Sequence, residues 1–476
     1  MNTFQIILYE KNNEIRINYL DATSFGAEET TAGIQDKGGE DGLQYPQMDI
    51  PGTYRNLYVH YSEFTPEDMN AFYFPHIVSN GVWESEICIV NADASESLTG
   101  TFKAYDHDGG LITGIKEVML APKARMEMTV SEAFPKEEEI AYIKFETYAE
   151  TLAGYLKLYD EERRVALPVA ANENSGDIYV PHIASNEEWK TELVMINTLP
   201  ETKKIRIEFN TGAVKHVYLK SNECQAVAIR KLFNYAPQPD IRSAVIRDAE
   251  GLVALDLFEG EKELGGVILT TAHSGKLYFP HIASNEYWWT GIVAYNPSSS
   301  PTEVIFHPFS GDGKPLGYQS MQIQANDNIM AKISDLGMSS DTAWFYLEAS
   351  RPITGLGLFG TETHTEMASY RAVDESHLTG VFPKLDKEGW TGLAFINPGN
   401  QAAVIELKAL DDTGVLIASE ALAVQGGEKK VALAEDLFSS SIEDAAYIRY
   451  ESSMEILGIQ LNGSSDRMML DGVPAM

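Results

Sequence analysis

Along most of this chain apolar and polar residues alternate one for one in runs of about five to eight, the period of a half-buried strand. Ala141-Tyr-Ile-Lys-Phe-Glu146 and Gly154-Tyr-Leu-Lys-Leu-Tyr159 are clear examples. Turn residues punctuate the runs, as at Asp106-His-Asp-Gly109, Asn210-Thr-Gly212, Asp312-Gly313 and Asp412-Thr-Gly414, where Gly supplies the positive φ of a tight hairpin. No amphipathic helical period lasts longer than about two turns. Val130–Phe134 and Leu433–Phe438 are each read as a single helical turn at matching places. The pattern predicts an all-β chain.

The strands come in a repeating order. Tyr73-Phe-Pro-His-Ile-Val-Ser-Asn80 returns as Tyr179-Val-Pro-His-Ile-Ala-Ser-Asn186 and Tyr278-Phe-Pro-His-Ile-Ala-Ser-Asn285, and a worn copy begins at Val381-Phe-Pro383, with Lys384 in place of His. The prolines at 75, 181, 280 and 383 are 106, 99 and 103 residues apart, a period that suits one small domain per copy. Each copy continues with Trp, a Thr or Ser, an apolar strand ending in Asn, and a turn. Trp83, Ser85 and Asn91 are followed by Trp189, Thr191 and Asn197, then Trp288-Trp289, Thr290 and Asn296, then Trp390, Thr391 and Asn397. About eight short strands per copy predict a sandwich rather than a propeller blade, which needs only about 40–50 residues. The expectation is a tandem array of four β-sandwich repeats at 72–171, 172–272, 273–373 and 374–476.

Two further strands, Phe4–Glu10 and Glu14–Tyr19, read as a hairpin turning at Lys11-Asn-Asn13. Together with Thr30–Gln35, the Gly-rich stretch 37–42 and Leu43-Gln-Tyr45, this region resembles the closing hairpins of a nidogen-like extracellular β-sandwich domain. That resemblance implies that residues 1–50 are the end of a domain whose beginning lies upstream, and 51–71 a linker with one strand. The repeats themselves, with Pro-His, Trp-x-Thr, Asn-Pro and Asp-Gly in that order, resemble an immunoglobulin-like β-sandwich repeat of bacterial secreted and cell-surface proteins. It implies an extracellular or cell-surface location, with a signal peptide missing from this chain, and brings no catalytic set.

Charge narrows the partners. The 36 Lys and Arg against 70 Asp and Glu give a formal charge of -34, which repels nucleic acid and anionic lipid. No apolar run of 18 residues occurs, so no membrane-inserting helix is expected. Cys88 and Cys224 stand at non-equivalent places in different copies, so a shared disulfide is not expected.

The candidate ligand-binding residues are His76, Trp83, His182, Trp189, His281, Trp288, Trp289 and Trp390. An indole face suits the CH face of a sugar, so a glycan or another surface protein is the expected kind of partner. The competing reading makes them a structural corner, imidazole bonded to a loop and Trp plugging the sandwich end. Asp106-His-Asp108 is not kept from copy to copy, and reads as a turn rather than a calcium site. Gly355-Leu-Gly-Leu-Phe-Gly360 formally matches a dinucleotide fingerprint, but no helix pattern follows it. No nucleophile elbow, zinc-protease or phosphate-loop motif occurs, and no inserted loop builds a cleft around a pair of acids. The expectation is a non-catalytic structural, adhesive or spacer segment of a larger exported protein, without cofactor or metal. The alternatives are a carbohydrate-binding array and an accessory part of a secreted hydrolase.

Overall fold

A computed structural model describes residues 69–112, 116–171 and 176–476, together with strands Gln5–Lys11, Glu14–Leu20 and Glu29–Thr30. The chain divides into two compact units, 1–68 and 69–476. In the first, Gln5–Lys11 and Glu14–Leu20 pair antiparallel, from Gln5 opposite Leu20 to Lys11 opposite Glu14, the expected hairpin. The rest of 31–68, including the stretches to Tyr45 and the linker, lies outside the described residues.

The second unit is all-β, with four copies of one antiparallel sandwich. In the first copy one sheet runs Arg164–Pro168, Ala153–Tyr159, Glu84–Val90, Arg125–Thr129. The other contains Asn70–Phe74, Tyr142–Thr147, Leu98–Tyr105 and Lys116–Leu120. The outer sheets follow the expected alternation. In Lys203–Phe209, Ile205, Ile207 and Phe209 are buried while Lys204, Arg206 and Glu208 are not. In copies three and four a single strand of 18 residues, Trp344–Thr361 and Tyr447–Ser464, serves both sheets. A helical turn stands at Val130–Ala133 and Ile229–Leu232, tightening to 3-10 at Ile333–Leu336 and Glu435–Leu437.

The inner sheets do not alternate. In Lys190–Asn197 the side chains from Leu193 to Ile196 are all fully buried, and Leu252–Glu259 is buried along almost its whole length. A strand apolar on both faces has packing on both faces. One face covers the core of its own sandwich. The other meets a neighbouring copy, so apolar clusters run from copy one into copy two and from copy two into copy three.

The four copies therefore do not stand in a row: they close on themselves. The last strands, Arg164–Pro168, Leu264–Leu269, Met367–Arg371 and Leu470–Pro474, pack against one another in cyclic order, the fourth against the first. Matching registers put Ala166, Gly266, Ser369 and Gly472 at equivalent places. All four line one axial cavity of about 320 Å³. Small residues there let four strands approach a common axis. Ser369 Oγ also bridges the second and third copies, donating to Gly266 O at 2.9 Å and accepting from its N–H at 2.8 Å.

Candidate functional site

The repeated words of the sequence are first of all locks. Asn80, Asn186 and Asn285 each accept the N–H of Trp83, Trp189 and Trp288 at 2.8–3.0 Å, a local side-chain turn that sets the tryptophan. Thr191 Oγ1 both donates to and accepts from the backbone of Ala184, as Thr290 does with Ala283 and Ser85 with Val78. In the fourth copy Thr391 accepts from Asp386 N–H and donates to Asn462. The Asn closing the strand spends its amide on carbonyls: Asn197 on Glu201, Leu219 and Lys220, Asn296 on Ser300, Ile323 and Gln324. Buried carbonyls left without these donors are costly.

The seams between copies reuse one arrangement. The turn of one copy sits on the turn that opens the next copy's edge strand. Gly109, Gly313 and Gly414 have φ of +86°, +82° and +84°, and a Cβ on any of them would lie within 2.9 Å of the neighbour's backbone. An aromatic donor crosses beside it. Tyr142 OH reaches Asn222 O at 3.1 Å, Trp344 Nε1 reaches Gly427 O at 2.8 Å, and Tyr447 OH reaches Lys123 O. The edge strand answers with a side chain at its start, which points at the Pro-His segment of the preceding copy. Cys224 Sγ lies 3.9 Å from Pro75 O, Asn328 donates to Pro181 O at 2.7 Å, Lys429 lies 3.4 Å from Ile282 O, and Arg125 Nε donates to Pro383 O at 2.6 Å. The seam between copies two and three lacks both the aromatic and the close turn, since a Cβ on Gly212 would meet nothing within 4 Å, and it has an Arg242–Asp327 ion pair at 2.7 Å instead.

The seam joining copy four back to copy one is ionic. Arg125, with a side chain 4% exposed, pairs with Asp412 at 2.7 Å and with Glu127. Lys384 pairs with Glu86 at 2.8 Å and Glu127 at 3.2 Å. Arg164 pairs with Asp386 at 3.1 Å and Asp471 at 2.8 Å. Burial pushes the Glu86 carboxyl up, but Lys157 and Lys384 outweigh it and hold it at about 2. The missing histidine of the fourth copy is explained here: Lys384 is a member of this network.

The candidate residues divide sharply. His182 is buried with its ring edge-on to Phe258 at 4.8 Å, and His281 meets Phe359 in the same way at 4.9 Å. Burial lowers His76 and His182 to about 4, so both are neutral at pH 7. No hydrogen-bond partner reaches Nδ1 of His182 or His281, and the loop bond expected of the structural corner is absent at that atom. Trp83 lies under the Arg163 guanidinium at 4.7 Å, and that guanidinium is itself tied to Asp160 and Glu259. Trp289 is buried, gives its N–H to Thr361 O at 2.9 Å and has Lys332 over its ring. Trp189 is half-buried against the apolar cluster that runs from copy two into copy three. Trp288 and Trp390, from copies three and four, instead line one open cleft of about 480 Å³ with Tyr287, Leu433, Glu366 and Arg467. A recess of about 290 Å³ shares Trp288, Trp390 and Leu433 and includes His281 and Phe359. Glu366 was not among the candidate residues. No motif marks it, and only the fold brings it to the tryptophans.

Among the described residues no three His, Cys, Asp or Glu converge to hold a metal. Gly355–Gly360 lies inside a strand. Cys88 and Cys224 are both buried free thiols. Asp256 is fully buried with neither carboxyl oxygen bonded, and burial raises its pKa well above the ordinary value. Its protonated form fits the core, so the associated stability is complete below the unfolded pKa and is lost as pH rises through the folded one. Asp256→Asn, neutral throughout, is expected to be more stable than the parent at pH 8 and to lose that advantage at pH 4. Denaturant unfolding at the two pH values checks this.

No family model and no curated protein matches the chain. Among solved structures it is similar to Thermotoga maritima 1070, at 14% identity and a TM-score of 0.19, over 21% of this chain and 95% of that one.

Proposed function

We propose that this protein is a non-catalytic structural or adhesive part of a larger exported bacterial protein, built as a rigid four-part ring rather than an extended spacer. The observation that carries the reading is how the repeated residues are used: Asn, Thr, the turn glycines and the edge-strand side chains are all engaged in holding loops and seams. A rigid ring suits presentation of surfaces more than chemistry. Location and catalysis test it. An antibody against residues 69–476 is expected to find the protein in the exported or surface fraction of its source cells. Retention of all of it inside, or turnover of any glycosidic, ester or peptide substrate in a hydrolase screen, contradicts the proposal. A second reading, carbohydrate binding, is favoured by one specific feature, the cleft holding Trp288 and Trp390.

A further inference from the structure

We infer that the cleft between the third and fourth copies is a binding site for a neutral oligosaccharide. The inference gives the carbohydrate reading a single location, in place of one site per copy.

Two indoles build its walls, and each is held in place from behind. Trp288 stacks on Phe359, centroids 4.7 Å apart and planes 17° apart, with Tyr287 edge-on at 5.0 Å. Trp390 lies on glycine backbone: a Cβ at Gly463 would come within 2.1 Å of its ring, and one at Gly392 within 3.2 Å. No larger residue at position 463 leaves the indole where it is. Rigid aromatic platforms of this kind favour a flat, partly apolar ligand, because little side-chain freedom is lost on binding.

Polar groups meet the platforms at the same cleft. Glu366 is 2% exposed, and its Oε2 has no hydrogen-bond partner. A buried polar atom without a partner is rare and calls for an explanation. A sugar hydroxyl supplies the missing partner. Burial lifts Glu366 to about 7, with Arg467 and Arg164 pulling it partly back, so near pH 7 the carboxyl both accepts from hydroxyls and donates to them. Arg467 adds donors. A mostly apolar concavity of a few hundred Å³ with a few convergent polar groups is the usual form of a small-ligand site.

At the other seams cations stand beside the corresponding residues. Arg163 occupies Trp83, Lys332 lies over Trp289, and Lys384 is engaged with Glu86 and Glu127. Cations close those places, whereas Tyr287, Val431 and Leu433 stay 40%, 59% and 38% exposed beside the cleft. The formal charge of -34 selects against acidic glycans, which leaves neutral ones.

The test titrates the full chain with cellotriose, maltotriose, xylotriose and chitotriose, followed by tryptophan fluorescence and calorimetry. At least one is expected to saturate. Trp390→Ala and Glu366→Gln should each weaken it by about tenfold or more. Trp390→Phe, which keeps an aromatic platform and guards against misfolding of the alanine variant, should retain part of the affinity, and Trp189→Ala should leave it unchanged. No binding of any of the four up to about 10 mM, or binding indifferent to Trp390→Ala and Glu366→Gln, overturns the inference. So does concentration-dependent dimerisation abolished by Trp390→Ala, which would make the cleft a contact between copies of the chain. A surface-located ring that binds none of these sugars removes this inference and leaves the scaffold proposal standing; a sugar bound by a wholly intracellular ring does the reverse.

Discussion

Arg125→Ala is expected to open the seam between the first and fourth copies. The guanidinium is nearly inaccessible and serves Pro383 O, Asp412 and Glu127 together. Removing one partner from a buried ionic group leaves the others uncompensated, typically at a cost of about 3–5 kcal/mol. Asp412 is 63% exposed and regains water readily, so the lower end, about 3 kcal/mol, applies here. This seam joins the first copy to the last, which are far apart in sequence and have no short linker between them. Loss of the contact should therefore release the first strands of the ring as well as lower stability. Denaturant unfolding with hydrogen exchange checks both, exchange rising first in Arg125–Thr129 and Glu84–Val90. Lys136→Ala, which removes only an exposed pair with Glu139, should change stability by less than about 0.5 kcal/mol. Acid acts on the same seam. Glu86 is held at about 2 against an ordinary 4.5, so the stability it lends is complete above pH 4.5 and is lost as pH falls through about 2.

Trp344→Ala carries the other large effect, about 3–5 kcal/mol. The side chain is wholly buried, stacks on Phe309 with centroids 4.4 Å and planes 8° apart, and sends its N–H across the seam to Gly427 O at 2.8 Å. Alanine therefore empties a cavity and strips a carbonyl in one change. Trp344→Phe separates the two terms: it keeps most of the packing and loses the hydrogen bond, for about 1–2 kcal/mol. Thermal or denaturant unfolding of the two variants gives the ratio directly. Equal losses would mean that the seam contact, and not the packing, dominates.

The sandwich was legible because outer strands such as Lys203–Phe209 alternate with the period of two, and because Asp-Gly and Asn-x-Gly turns separate them. The ring was not read from the same residues, although they carried it. Leu193-Val-Met-Ile196 is apolar at four successive positions, which one half-buried sheet does not need and two packed faces do. Arg125, Glu86 and Glu127 in the first copy and Lys384 in the fourth look like wear in a repeat when each copy is read alone; their meaning comes from a partner some 250 or more residues away. The candidate site was half legible. The tryptophans announced themselves, but their equivalence in sequence hid their different fates, since Arg163 and Lys332 lie on rings that the motif alone presents as open. Glu366 gave no local signal, because its burial is a property of the assembled seam.

Closure of the ring is the claim on which the rest depends, and solution X-ray scattering from residues 69–476 tests it most directly. Four sandwiches closed around one axis should give a radius of gyration of about 22 Å, the value for a compact body of that length. Four sandwiches in a line should give about 40 Å, and a value near that would contradict the account.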